Sequence, residues 1–138
     1  MKGILADINM LGQVESLVRQ MQSPEWIDVW NYLNIELKLF QDVGLRRDAP
    51  DLEIWQTCQS EQLVLLTNNR KQESDTSLEA AIRVYNRSDS LPVFTISNLD
   101  RFQTSREFAE KVLEDFFDYL LRIDEVRGTG RLYLPRKQ

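Results

Sequence analysis

The chain has 138 residues and a net charge of −5, and 42% of its residues are apolar. A chain of this length buries about two thirds of its unfolded surface, so we expect a single domain over residues 1–138 with one core. The sequence contains no His and a single Cys, Cys58. These counts exclude a Ser-His-Asp triad, a zinc knuckle and a disulfide within this chain.

The net negative charge also argues against a protein that binds nucleic acid through overall positive charge. Binding through one local basic patch stays compatible with this composition. No signal peptide and no membrane-length apolar run is apparent, which predicts a cytoplasmic protein outside the membrane. No Gly-rich phosphate loop is present, so we expect no nucleotide cofactor. A basic C-terminal tail is interpreted as solvated surface, with a phosphate-binding strip as the alternative; its members are Arg127, Arg131, Arg136 and Lys137.

The first predicted element is a short buried strand over residues 3–6, which ends at Asp7. Apolar residues at helical spacing follow, and we expect Asn9 to cap that helix. Ser23 and Pro24 then predict a second helix start, with Ser as the N-cap and Pro at the first helical position.

Residues 35–39 alternate apolar and polar side chains, which predicts a strand at or near an edge of the sheet. A polar loop leads to Pro50, and a helix is predicted from Asp51 to about Ser60. The continuous apolar run over residues 63–66 is typical of a central strand that is covered on both faces.

Two capping boxes predict the later helices, because Ser or Thr followed three residues on by Glu satisfies free amides reciprocally. They are Thr76 with Glu79, for a helix to about Tyr85, and Thr104 with Glu107, for a long helix to about Glu125. Strands are predicted over residues 92–96 and 132–134. Strands that alternate with helices predict a three-layer α/β/α sandwich with a mainly parallel central sheet.

Polar residues fall at the carboxyl ends of the predicted strands, where open parallel sheets bind ligands. Asp7 ends the first strand, Asp51 and Glu53 begin a helix, and Thr67 and Asn69 follow the central strand. Oxygen ligands of this kind suit Mg²⁺ or Mn²⁺, which polarises a phosphodiester and activates water without any His. The alternative is that each acid is an ordinary turn or cap residue.

Four segments, in this order and at suitable spacing, resemble small bacterial PIN-like proteins. They are Gly3-Ile4-Leu5-Ala6-Asp7-Ile8-Asn9, Asp42-Val43-Gly44-Leu45, Ala49-Pro50-Asp51-Leu52-Glu53-Ile54 and Leu63-Val64-Leu65-Leu66-Thr67-Asn68-Asn69-Arg70. The resemblance covers roughly residues 3–72. PIN domains are metal-dependent ribonucleases and are often toxins of toxin–antitoxin pairs.

The resemblance implies catalytic positions at Asp7, Asp51 and Asn69, with Asp7 and Asp51 as ligands of Mg²⁺ or Mn²⁺. Glu53, Thr67 and Asn9 would be accessory. This chain departs from the family pattern at three positions, and each departure removes an acidic side chain. Asn69 stands where the family has Asp, Ile8 stands where relatives often have Glu, and Lys71 stands where a second Asp is common. Two carboxylates and an amide suit one weakly held ion rather than a two-metal clamp.

Basic side chains near the same strand ends are candidate phosphate contacts, namely Arg46, Arg47, Arg70 and Lys71. The alternative is exposed loop charge. The leading hypothesis is therefore a PIN-like protein that cleaves or binds RNA with weakened or lost activity. A catalytically inactive PIN-like module that acts through self-association or an antitoxin-like protein partner is the alternative. Trp55 and two aromatic helix faces predict a homodimer, because they exceed what one small sheet covers.

Overall fold

The computed structural model describes residues 1–68 and 77–136 of the chain. Its centre is a five-stranded sheet in the order β2-β1-β3-β4-β5, and every neighbouring pair is parallel. The strands are β1 Gly3–Ala6, β2 Glu36–Lys38, β3 Leu63–Thr67, β4 Val93–Ile96 and β5 Arg131–Leu134. The predicted edge strand and the predicted central strand are both confirmed.

Helices cover both faces of the sheet and complete the predicted three-layer α/β/α sandwich. One face carries α1 Leu11–Met21, α2 Ile27–Leu33, α5 Leu99–Thr104, α6 Arg106–Leu121 and α7 Ile123–Val126. The other face carries α3 Asp51–Glu61 and α4 Leu78–Tyr85. Short 3-10 turns lie over Ile8–Met10 and Phe40–Val43.

The two layers share the sheet by alternation, since successive side chains of a strand point to opposite faces. In β1, Ile4 belongs to the core under α1 and α6, while Leu5 belongs to the core under α3 and α4. Gly3 permits the close approach of β2, because a Cβ at this position would lie 2.2 Å from the carbonyl oxygen of Glu36. A larger residue at position 3 would therefore separate β1 from the edge strand.

Two predicted helix starts in the first half are wrong. Asp7, rather than Asn9, accepts the first free amide, and the chain makes a 3-10 turn before α1 begins at Leu11. The second helix begins at Ile27 instead of Pro24, because the Ser23 carbonyl accepts from the amides of Trp26 and Ile27 at 3.0 and 2.8 Å and forms a turn. Trp26 stacks on Phe117 with ring centroids 5.1 Å apart, which holds that turn against α6.

The capping box at Thr104 is also wrong, because Thr104 ends α5 and the hydroxyl of Ser105 accepts from the Phe108 amide instead. The long helix ends at Leu121, and α7 follows as a separate turn. The helix predicted to begin at Thr76 is α4, and the hydroxyl of Ser77 caps it by accepting from the Ala80 amide. Thr76 lies outside the described residues.

Trp55, one of the residues from which a homodimer was expected, is not on the surface. Trp55 is 4% exposed and packs in the core beneath α3, so it offers no surface to a second copy. Large apolar side chains that are exposed within the described residues are Tyr32, Val84, Tyr85 and Leu121. The described helices include none with the length and apolar character needed to cross a membrane.

Candidate functional site

The point where β1 and β3 lie side by side carries the first site residue. The chain runs from β1 outward to β2 and returns to β3, and such a reversal in strand order leaves a crevice at the carboxyl ends. Asp7 follows β1, and its carboxylate accepts from the Asn9 amide at 3.0 Å and from the Thr67 hydroxyl at 2.5 Å. Two donors from different elements therefore fix the orientation of the Asp7 carboxylate.

The second carboxylate, Asp51, is the first residue of α3 and follows Pro50, whose extended backbone is a natural helix entry. One oxygen of Asp51 accepts from the Leu78 amide, at the first residue of α4, at 3.0 Å. The free amides at both helix starts favour negative charge here. Asp51 therefore joins α3 to α4 as well as facing the strand ends.

A cavity of about 90 Å³ brings these carboxylates together. Its polar lining includes Asp7, Asn9, Arg47, Asp51 and Thr67, and its apolar lining includes Phe40, Ile54, Leu65 and Leu78. The volume is well above the roughly 10–15 Å³ that one water needs, so an ion with several waters or a phosphate group fits.

Two other predicted site residues, Glu53 and Arg46, do not line this cavity. Glu53 is exposed on α3 and is not among the lining residues. Arg46 lies outside the lining as well, and its guanidinium pairs with Asp48 at 3.1 Å. Asn69, Arg70 and Lys71 fall outside the described residues.

Arg47 differs from its neighbour, because it lines the cavity and makes no salt bridge with another residue of the part that the structure describes. An exposed guanidinium on the lining of the same cavity is available to a phosphate oxygen, which it can contact in a planar fork. The sequence placed Arg46 and Arg47 in one loop and did not distinguish them. Asp48 follows both arginines in the sequence, so only the structure shows that its carboxylate pairs with Arg46.

The described residues supply two carboxylates at this cavity, which matches the usual protein ligand count for one Mg²⁺ or Mn²⁺ and is fewer than a two-metal site uses. Within the ranges that the structure describes, no group of three or more acidic or Cys side chains is close enough to form a metal cluster. Mg²⁺ commonly takes one or two carboxylates and completes its shell with water and substrate phosphate. Asp7 and Asp51, which are half-buried and line the same cavity, provide that number of carboxylates.

Nucleophilic catalysis through Cys58 is disfavoured. Burial raises the pKa of the Cys58 thiol to about 12, so the thiol stays protonated at neutral pH. Because the thiolate is the reactive form, Cys58 serves as a small apolar core residue beneath α3.

A larger groove of about 1,020 Å³ lies on the opposite helical layer, between α1 and α6. It contains none of the sequence-predicted site residues, so size alone does not identify the site. Comparisons with protein-family models, with curated proteins and with solved structures found no match for this chain.

Proposed function

We propose that this chain is a PIN-like protein that binds single-stranded RNA at the β1–β3 strand ends and cleaves it weakly with Mg²⁺ or Mn²⁺. The observation that supports the proposal is the shared cavity. Two carboxylates and an exposed arginine line it, namely Asp7, Asp51 and Arg47. Carboxylates alone would suit a cation, and a guanidinium alone would suit an anion. Their combination suits a phosphodiester that is held by a metal ion and a basic side chain.

Each residue has a distinct role in this proposal. Asp7 and Asp51 hold the ion, which when bound neutralises phosphate charge and lowers the pKa of a coordinated water. Thr67 and Asn9 keep the Asp7 carboxylate oriented through their two hydrogen bonds. Arg47 contacts a non-bridging phosphate oxygen and orients the RNA backbone.

The weakness of the proposed activity follows from charge. Asp7 and Asp51 bring two negative charges, and the exposed Arg47 offsets part of them. The resemblance puts a third acid at Asn69, where this chain has an amide that supplies an oxygen without the charge. We therefore propose one weakly bound ion. A cytoplasmic location, where RNA is present, is part of the same proposal.

The test is cleavage of a labelled single-stranded RNA in Mn²⁺ by the wild type and by three variants. Asp7→Asn should abolish metal-dependent cleavage, while Arg47→Ala should weaken RNA binding and lower its dependence on salt by about one phosphate contact. Arg46→Ala is the matched control, because Arg46 is adjacent in sequence but paired with Asp48 outside the cavity. Equal behaviour of Arg46→Ala and Arg47→Ala would contradict the phosphate role of Arg47.

A second candidate is the catalytically inactive PIN-like module that works through self-association or an antitoxin-like partner. The observation that favours it is that both carboxylates already stabilise the fold. Asp7 accepts two hydrogen bonds, and Asp51 accepts one from the amide at the start of α4. If the wild type neither binds Mn²⁺ nor cleaves RNA, and Asp51→Asn mainly lowers stability, this candidate replaces the first.

A further inference from the structure

The groove on the opposite layer is a long channel between two helices. Along α1, residues Gly12, Gln13, Ser16 and Gln20 line one wall, and the facing wall comes from the end of α5 and the first turns of α6. The nine residues from Gly12 to Gln20 span about 12 Å along the helix axis. The channel therefore has the length of roughly two helical turns, and its volume of about 1,020 Å³ is at the upper limit of small-molecule sites.

Polar and apolar side chains line the groove in similar measure, and the buried apolar ones form its floor. Phe102, Ala109 and Leu113 are buried in the adjoining core, and Trp26 closes the region by stacking on Phe117. Gly12 adds open space, since a Cβ built there meets nothing within 4 Å. A floor of this kind fits an apolar side-chain stripe better than a charged strand.

The rim of the groove is acidic. Glu25 and Glu114 are exposed, and neither makes a salt bridge within residues 1–68 and 77–136. Arg106, the basic residue of the lining, pairs with Glu110 at 3.2 Å, so these two charges offset each other. The uncompensated charge at the rim is negative and favours a cationic partner.

We propose that this groove binds an amphipathic helix of a partner protein, with an apolar stripe on the floor and Lys or Arg side chains toward Glu25 and Glu114. Helices in grooves use apolar anchors at positions i, i+3, i+4 and i+7, and two turns accommodate such a set. The groove and the strand-end cavity share no lining residue, and the groove does not depend on the proposed RNA chemistry.

Other occupants fit less well. Two copies that paired groove to groove about a two-fold axis would bring Glu25 and Glu114 against the same acids of the partner copy. An RNA backbone would face the same repulsion. Both alternatives are outcomes of the test below.

The test uses three labelled 14-residue peptides and fluorescence anisotropy with the whole chain. The first has a Leu stripe flanked by Lys, the second has the same stripe flanked by Glu, and the third scrambles the first. We expect the Leu/Lys helix to bind and the other two to bind at least about tenfold more weakly, a difference of about 1.4 kcal/mol.

Variants locate the binding in the groove. Gly12→Leu fills the open space and should weaken the Leu/Lys helix by at least about tenfold, while α1 itself gains a better helix former and keeps its melting temperature. Glu25→Gln combined with Glu114→Gln should weaken binding severalfold and reduce its salt dependence. Glu15→Gln, an exposed acid of α1 outside the groove, is the matched control and should leave binding unchanged.

Several results would overturn the proposal. They are no binding of the Leu/Lys helix at millimolar concentration, equal binding of the scrambled peptide, and wild-type affinity in Gly12→Leu. A wild-type dimer that Gly12→Leu dissociates would assign the groove to a second copy. If single-stranded RNA displaces the peptide, and does so more strongly in the variant with both Gln substitutions, the groove binds nucleic acid instead.

Discussion

The hydroxyl of Thr67, at the end of β3, donates a hydrogen bond of 2.5 Å to the carboxylate of Asp7, at the end of β1. Thr67 is fully buried and Asp7 is half-buried, and 60 residues separate them in the chain. The bond therefore links the central strand to its neighbour at the point where the candidate site lies. It is both a structural contact and a means of orienting the Asp7 carboxylate.

We predict that Thr67→Val, which keeps the side-chain shape, lowers the free energy of unfolding by about 1.5–3 kcal/mol, as expected for a bond to a charged group. Urea denaturation of Thr67→Val, Asp7→Ala and the double variant measures the coupling between the two side chains. Losses that simply add would contradict a direct interaction. Where Mn²⁺ binds, Thr67→Val should also weaken it by about 10- to 100-fold, since it removes an orienting contact of a ligand.

A second prediction concerns the link between α3 and the segment that precedes β4. The Gln59 side chain donates to the Leu91 carbonyl at 2.9 Å and accepts from the Leu91 amide at 2.8 Å. Gln59→Leu leaves both groups of the buried Leu91 without these partners and should cost at least about 1–3 kcal/mol. Gln56→Leu, an exposed position on the same helix, should stay within about 0.5 kcal/mol of the wild type. Equal melting temperatures of the two variants would contradict the prediction.

The third prediction is a pH dependence at the end of α6. Hydrogen bonds from Arg122 and Arg136 lower the pKa of Asp118 below its usual 3.8. Because the pKa is lower in the folded state, the stabilisation is present above about pH 4 and is lost as the pH falls through the folded value.

Asp118→Asn should therefore be less stable than the wild type from pH 5 to 8, by less than about 1 kcal/mol for this partly exposed group. The two proteins should converge as the pH falls below about 4, as thermal unfolding across the pH range can measure. Asp89→Asn, an exposed loop position, should show no such convergence. A difference between Asp118→Asn and wild type that persists unchanged as the pH falls below about 4 would rule out the ionised carboxylate as its cause.

The fourth prediction rests on the resemblance at Asn69. Asn69→Asp adds a carboxylate with little change in shape, so affinity for Mn²⁺ should rise and become more dependent on pH, because the new ligand must be deprotonated. Without metal, the added like charge should lower the melting temperature slightly. Thermal unfolding with and without Mn²⁺, together with RNA cleavage, measures both effects. Identical unfolding curves for wild type and variant in Mn²⁺ would contradict a metal-binding role for position 69.

Much of the fold follows from local pattern. Pro50 and the apolar spacing after it predict a helix from Asp51 to about Ser60, and the structure has Asp51–Glu61. The unbroken apolar run of β3 predicts a strand buried on both faces, and all of its residues are buried. These elements are predictable because hydrophobic periodicity and helix-start chemistry act over a few residues.

The errors arise where tertiary packing decides between local alternatives. Thr104 and Ser105 are both able to cap a helix, but Phe102 and Phe108 must both reach the core, and the chain turns at Ser105 to allow it. Asp7 is identifiable in the sequence because it directly ends a strand. The bond from Leu78 to Asp51 spans 27 residues and leaves no local signal.

Electron paramagnetic resonance tests the proposed metal site at Asp7 and Asp51 by measuring free Mn²⁺ during titration of the whole chain. We predict weak binding of one Mn²⁺ by the wild type and a loss of at least about tenfold in affinity in Asp7→Asn, since even indirect ligand contacts contribute that much. Glu53→Gln, which removes an exposed acid outside the cavity, should titrate as the wild type. Wild-type binding no tighter than that of Asp7→Asn, or an equal loss in Glu53→Gln, would contradict the account.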